Sequence, residues 1–210
     1  MLVRVCQSAV TPAKTMEEAR PAPMTLLASL LPRFTRRAPH ERLGFMLYGA
    51  AVAAARVPYF YAVLGVPDTL DGRFDLIGLH ACLIIHRLRF LPEPGPALAQ
   101  AVFDAMFSDM DRALREMGVG DLSVGRRVRA MWEAFHGRAR AYESALDSAD
   151  DDALAGALLR NVWRGATPPE GAAAALAGLV RSQSRFLAGQ DQAALFAGEV
   201  RFQNAPATAP

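Results

Sequence analysis

The chain reads as an all-α protein, a single compact bundle of about six to seven helices with no sheet. Three observations lead there. Alanine and leucine dominate a sequence that is 52% hydrophobic and 21% charged, a balance that favours helix within a globular domain. Apolar residues recur at spacings of three and four, as in Phe103, Phe107, Met110, Leu114 and Met117, which lines one face of a helix. No stretch shows the sustained period of two that a half-buried strand needs. A length of 210 residues suits one domain that buries roughly 70% of its unfolded surface.

Residues 1–35 are expected to form a partly disordered leader and amphipathic segment, with Met24 as an alternative start. Within it Leu27, Leu30, Leu31 and Phe34 keep helical spacing beside Arg33, Arg36 and Arg37, broken by Pro32. Two readings stand open for Leu27 to Arg37. It is a strap on the domain, or it makes peripheral contact with an anionic membrane. The helical domain is expected over 36–200 and a disordered tail over 201–210.

The first helix runs from Glu41 to Val57, where Ala50, Ala51, Ala53, Ala54 and Ala55 allow close approach of a neighbour. Arg56 and Pro58 interrupt this apolar stretch, so it is a buried helix rather than a membrane span. A turn follows at Gly65-Val66-Pro67-Asp68. Asp71 is a good N-cap for a second helix through about Phe90, with Asp75 in its first turns. Phe74, Ile77, Ala81, Ile84, Ile85 and Leu88 line one of its faces, and Leu76, Leu79 and Leu83 another. A helix apolar on two faces belongs at the centre. Leu91 to Pro96 is a stiff linker. The third helix spans about Ala97 to Met117, and Gly118 terminates it. A fourth starts near Ser123 and turns Val124, Val128, Met131, Phe135 and Tyr142 inward. Asp150-Asp151-Asp152 opens a fifth through Trp163, Thr167-Pro168-Pro169-Glu170 a sixth, and Gln190 to Val200 a shorter seventh.

The formal charge of +2 is too small to argue for nucleic acid. Its distribution says more, since residues 101–121 carry an acidic excess and residues 122–140 a basic one. An antiparallel helix pair held partly by charge is expected. Cys6 and Cys82 have neither metal spacing nor a disulfide framework, and Cys82 reads as a buried thiol. Arg4 interrupts the first apolar run, so no secretory signal is expected.

The acidic clusters invite a catalytic or metal-site reading that their geometry resists. Asp109 and Asp111 point to opposite sides of a helix. Asp104 and Asp111 share a face but lie about 10.5 Å apart along the axis. Asp71/Asp75 and Asp147/Asp151 have the Asp-x-x-x-Asp spacing of helical prenyl-diphosphate enzymes, yet each has a capping explanation. His80 and His86 diverge around their helix, and His40 and His136 have no local ligand partner. There is no Gly-x-Ser-x-Gly elbow, and Gly118-Val119-Gly120 follows no strand. No catalytic, cofactor-binding or metal residue is assigned. The sequence favours binding over catalysis. Arg126 and Arg127 oppose the dipole at a helix start, and Arg56 ends an apolar helix. Either nearby carboxylates (Asp121, or Asp68, Asp71 and Asp75) answer them, or a polypeptide or lipid partner does. Met106, Met110, Met117 and Met131 are mainly core, but an adaptable groove would suit an apolar client.

Two blocks carry a likeness. One is Gly65-Val66-Pro67-Asp68 with Asp71-Gly72-Arg73-Phe74-Asp75 and His80. The other is Phe103-Asp104, Phe107, Asp109-Met110-Asp111 and Leu114-Arg115-Glu116-Met117-Gly118-Val119-Gly120-Asp121, continued by Arg126 to Met131, Phe135-His136-Gly137-Arg138 and Tyr142. Over about residues 40–165 the chain resembles the ubiquinol–cytochrome c chaperone family, the mitochondrial complex III assembly factors and their bacterial relatives. The resemblance implies an all-helical, non-enzymatic chaperone that binds newly made cytochrome b and assists bc1 assembly. Its implied companions are a small assembly partner or the ribosome. The composition looks bacterial, which places the expected site of action in the cytoplasm, at the inner membrane face. The client-binding candidates are Arg56, Asp68, Asp71, Arg73, Phe74, Asp75, His80, Asp104, Asp109, Asp111, Arg115, Glu116, Asp121, Arg126 and Arg127. The competing classes are a magnesium-dependent isoprenoid or lipid enzyme and an interaction module for another membrane protein.

Overall fold

A computed structural model describes residues 40–148 and 150–206. Cys6, the Leu27–Arg37 segment and the proposed Met24 start lie outside them. The described residues form eight helices and no strand. They are α1 (Glu41–Ala55), α2 (Pro58–Ala62), α3 (Leu70–Arg89), α4 (Gly95–Glu116), α5 (Asp121–Asp147), α6 (Asp151–Val162), α7 (Ala172–Ala188) and α8 (Gln192–Phe196). No described helix is long and apolar enough to cross a membrane.

Helix α3 is the hub. It packs on α1 and α4, which also pack on each other, and it touches α5, α6 and α7. The other half of the bundle runs α4 to α5, α5 to α6 and α6 to α7, and α7 returns to α3. The two apolar faces of α3 are the cause: Leu76, Leu79, Leu83 and Ile84 are all buried, with Ala81 and Leu88 beside them. Helices α1 and α4 approach at Gly44, where a Cβ would come within 2.4 Å of the Ala101 carbonyl oxygen. The small residues of α1 therefore serve close packing, as the alanines suggested.

Several boundaries differ from expectation, each for a local reason. Helix α1 stops at Ala55, and Pro58 opens the short α2 that the sequence reading lacked. Proline forces Val57 into an extended conformation (ψ 126°) and then suits a helical first turn. The cap of α3 is Thr69, whose hydroxyl accepts from the Gly72 amide at 3.1 Å. Asp71 sits two residues on, within the first turn, where its charge suits the positive end of the dipole. Helix α5 begins at Asp121, two residues before the expected Ser123. Helix α7 begins only at Ala172, after Gly171 takes φ +75°, so Thr167–Glu170 is a turn. The α8 helix is capped by Asp191 and shorter than expected. Helix α4 ends as read, with Gly118 at φ +78°. Val119 N–H donates to Leu114 C=O at 3.1 Å and Gly118 N–H to Arg115 C=O at 2.9 Å, the two bonds of a Schellman motif.

Charge does not join α4 to α5. Arg112 pairs with Asp109, Arg115 with Asp111 and Arg129 with Glu133, each within one helix, and the Arg115–Asp121 pair spans only the corner. Exposed ion pairs contribute under about 1 kcal/mol, too little to align two helices. The seam is aromatic instead: Phe135 lies 5.8 Å from Phe103 and 6.0 Å from Phe107 between ring centres.

Candidate functional site

The first block turns around a buried carboxylate. Asp75 has no side-chain exposure, because its position on α3 faces the α5–α6 side of the bundle. Two guanidiniums meet it there. Arg164 donates from Nε to Oδ2 at 2.5 Å and from Nη2 to Oδ1 at 2.8 Å, and Arg138 of α5 bonds Oδ1 from the other side. Arg164 also reaches Asp71 Oδ2 at 3.1 Å. Burial pushes the Asp75 carboxyl up, and the arginine hydrogen bonds and charges oppose that shift. Arg164 follows the C-cap of α6 with φ +48°, a left-handed conformation that usually falls to glycine. Strain of about 1 kcal/mol or more is kept there at the residue whose side chain clamps both carboxylates.

The rest of this block is bracing. Trp163, 1% exposed, donates Nε1–H to the Leu64 carbonyl at 3.1 Å and ties α6 to the turn before α3. Arg73 pairs with Asp68 at 2.5 Å on the surface, which holds the Asp68 carboxyl below its usual range through that hydrogen bond. Phe74 is buried.

In the second block the carboxylates are likewise engaged. Asp104 accepts from Gln100 Nε2 at 2.6 Å, and its half-buried carboxyl is pushed up by burial. Asp109 accepts from the Tyr48 hydroxyl at 2.9 Å and pairs with Arg112. Burial, then Asp109, raises the Tyr48 hydroxyl. Asp111 and Asp121 share Arg115. Among the described residues, Arg56, Glu116, Arg126 and Arg127 are exposed and make no ion pair. The carboxylates expected to answer the three arginines are taken by others. Beside Arg126 and Arg127, at the α4–α5 corner, Met117 is 50% and Leu122 93% exposed. Asp68, Asp71, Arg73, Arg115 and Asp121 also face outward, but paired; at this corner two cations without an ion pair among the described residues stand with exposed apolar side chains.

Sequence reasoning missed Arg138, Arg164, Tyr48 and the Arg89–Glu143 pair at 2.8 Å. One signal pointed to the first two. A carboxylate on a helix apolar on two faces must find a cation or lose its charge. Among the described residues no three His, Cys, Asp or Glu side chains converge as for a metal ion. Asp147 lies 3.5 Å from His86 and Asp151 pairs with Arg181, so both Asp-x-x-x-Asp pairs face basic side chains. Burial raises the Cys82 thiol, which keeps it protonated.

Residues 62–202, both blocks included, match the description of the ubiquinol-cytochrome C chaperone family. The chain belongs to that family. The matched region reaches past the expected end near residue 165 to take in α7, α8 and Phe202, and it begins after α1. The ubiquinol-cytochrome-c reductase complex assembly factor 1 of Xenopus laevis is 26% identical, over 73% of this chain and 77% of its own. The mouse protein of that name is 24% identical over 75% of this chain, which spans about half (53%) of its length. The crystal structure of the Cbp3 homolog from Brucella abortus shares 37% identity and a TM-score of 0.71, covering 79% of this chain and 91% of its own.

Within this chaperone fold His80 is a core residue at 4% exposure. Its Nδ1 lies 2.8 Å from the Leu76 carbonyl, and its ring stands edge-on to Phe60 and Phe202. Burial lowers its pKa to about 4, against about 6.5 in an unfolded chain. The folded state thus binds fewer protons between those values. Stability from this group is whole above pH ~6.5 and lost as pH falls towards ~4. His80→Phe is expected to remove about 2 kcal/mol of the stability lost between roughly pH 7.5 and 5, read from urea unfolding at each pH. Equal acid losses in the two proteins would show that His80 takes up its proton as readily in the folded as in the unfolded chain.

Proposed function

We propose that this chain is a non-enzymatic chaperone that holds newly synthesised cytochrome b during assembly of ubiquinol–cytochrome c reductase, at the cytoplasmic face of a bacterial inner membrane. Family membership supports the assembly role. The observation that carries the binding reading is the fate of the charges. Asp68, Asp71, Asp75, Asp104, Asp109, Asp111 and Asp121 are each held by a neighbour within the fold, as are Arg73 and Arg115. They brace the scaffold. Among the described residues Arg56, Glu116, Arg126 and Arg127 make no ion pair and are offered to a client, with Met117 and Leu122 near the latter pair. Cytochrome b is a membrane protein, so before assembly it presents long apolar segments flanked by charge. A cationic, apolar corner suits that chemistry.

The magnesium-enzyme alternative would need Asp71 and Asp75 to give up Arg164, a demand the clamp geometry opposes. Loss of the gene is expected to lower bc1 content, read as haem b absorbance and reductase activity in membranes. Restoration with an Arg126→Glu/Arg127→Glu chain is expected to capture about tenfold less cytochrome b than the unaltered chain, about 1.4 kcal/mol, with the melting temperature unchanged. Normal bc1 content without the gene would defeat the proposal.

A further inference from the structure

We propose that the groove between α3 and α7 docks an extended segment of the client carrying one aromatic side chain, in exchange for the protein's own residues 201–206. The identity of the occupant rests on the client-holding reading above; the groove itself does not. These residues lie in what was expected to be a loose tail, yet they are seated. Gln190 accepts from Arg201 N–H at 2.9 Å and donates to its carbonyl at 2.7 Å. Gln183 does the same for Gln203, at 2.8 Å each way. One amide facing both main-chain groups of one residue, repeated two residues on, is the pattern of an extended strand meeting a partner. Two glutamine side chains, Gln183 on α7 and Gln190 just past its end, replace the missing strand. Between them Phe202 stands on the His80 ring, 5.1 Å between centres, over a floor that includes Phe60, Leu79, Leu83 and Val180, each at most 5% exposed.

This seat reads backbone and one ring, not sequence. Among the described residues, 201–206 make no main-chain hydrogen bond to other main chain. The one hydrogen bond that a side chain of this segment makes among the described residues is that of Gln203, whose Oε1 accepts from the Ser182 hydroxyl at 2.6 Å. The glutamine bonds to residue 201 and the Ser182 bond are exposed, so the segment can leave while the helices stay, as a local opening. What it vacates fits any extended chain with an aromatic side chain in register. A newly made membrane protein supplies such segments, and His80, a client-binding candidate that is buried under Phe202, becomes reachable in the exchange.

The test uses the full chain with Phe202→Ala and a labelled peptide of residues 199–206. By fluorescence anisotropy the peptide is expected to bind this variant at least tenfold more tightly than the unaltered chain. Adding Gln183→Leu and Gln190→Leu should abolish binding, and an alanine in place of the peptide's phenylalanine should prevent it. Equal binding by Phe202→Ala and the unaltered chain, at matching melting temperatures, overturns the groove. Should Phe202→Ala unfold, Gln203→Pro removes the N–H given to Gln183 and enters the same comparison. Phe202→Ala is also expected to capture more newly made cytochrome b. Unchanged capture overturns the client's assignment to this groove and leaves the chaperone reading standing, which fails only if the unaltered chain captures none.

Discussion

Asp75→Asn is expected to be one of the two most destabilising changes to the family blocks. The asparagine amide keeps the shape but presents N–H groups to at least one guanidinium, and it leaves Arg138 without a counter-charge and Arg164 with the exposed Asp71 alone. Breaking a buried ion pair from one side costs about 3–5 kcal/mol. The arginine side chains are 17% and 37% exposed, so water screens part of this and about 2–4 kcal/mol is expected. For a chain of this size that lowers Tm by about 5–15 °C, measurable by circular dichroism. An Asp75→Leu/Arg138→Met/Arg164→Met chain removes all three charges together and should recover most of the loss. If Asp75→Asn melts with the unaltered protein, the clamp does not brace the fold, and Asp75 returns to the set of residues available for chemistry.

Gly72→Ala is the second large effect. Gly72 sits in the first turn of α3, and a Cβ there would fall 2.1 Å from the Pro67 carbonyl oxygen and 3.5 Å from the Thr69 hydroxyl that caps the helix. Neither the proline nor its carbonyl can rotate away without opening the turn from Gly65 to Thr69. The loss combines overpacking with a damaged cap, about 2–4 kcal/mol together. It should appear as a lower urea midpoint at unchanged slope. Gly78→Ala, whose Cβ would rest 3.6 Å from Phe135, is an ordinary contact and a suitable control. Equal midpoints for both variants would mean the Asp71-Gly72-Arg73 sequence is not there for close packing.

These two residues also show how far the sequence could be read. The central place of α3 was legible, since apolar residues on two faces leave a helix no solvent side, and Gly118 marked its helix end because the left-handed conformation needs it. The start of α3 was less so. Thr69 and Asp71 are both good caps, and only the backbone path through Pro67 selects between them. Arg164 was out of reach, being 89 residues from Asp75 and standing where glycine is the usual choice. Acidic and basic stretches at 101–140 suggested pairing between helices, but long exposed side chains pair within their own turn. The candidate site was legible as a set of positions and not as roles: the same carboxylates that mark the family are mostly spent on holding the bundle together.

The central claim is that the outward-facing remainder of those blocks holds cytochrome b. It is tested most directly by placing a photoactivatable phenylalanine analogue at Leu122, Arg126 or Arg56 and illuminating cells while cytochrome b is being made. The account expects adducts containing cytochrome b from Leu122 and Arg126. Folded protein at normal levels, normal bc1 content and no cytochrome b adduct from any of the three positions would contradict it.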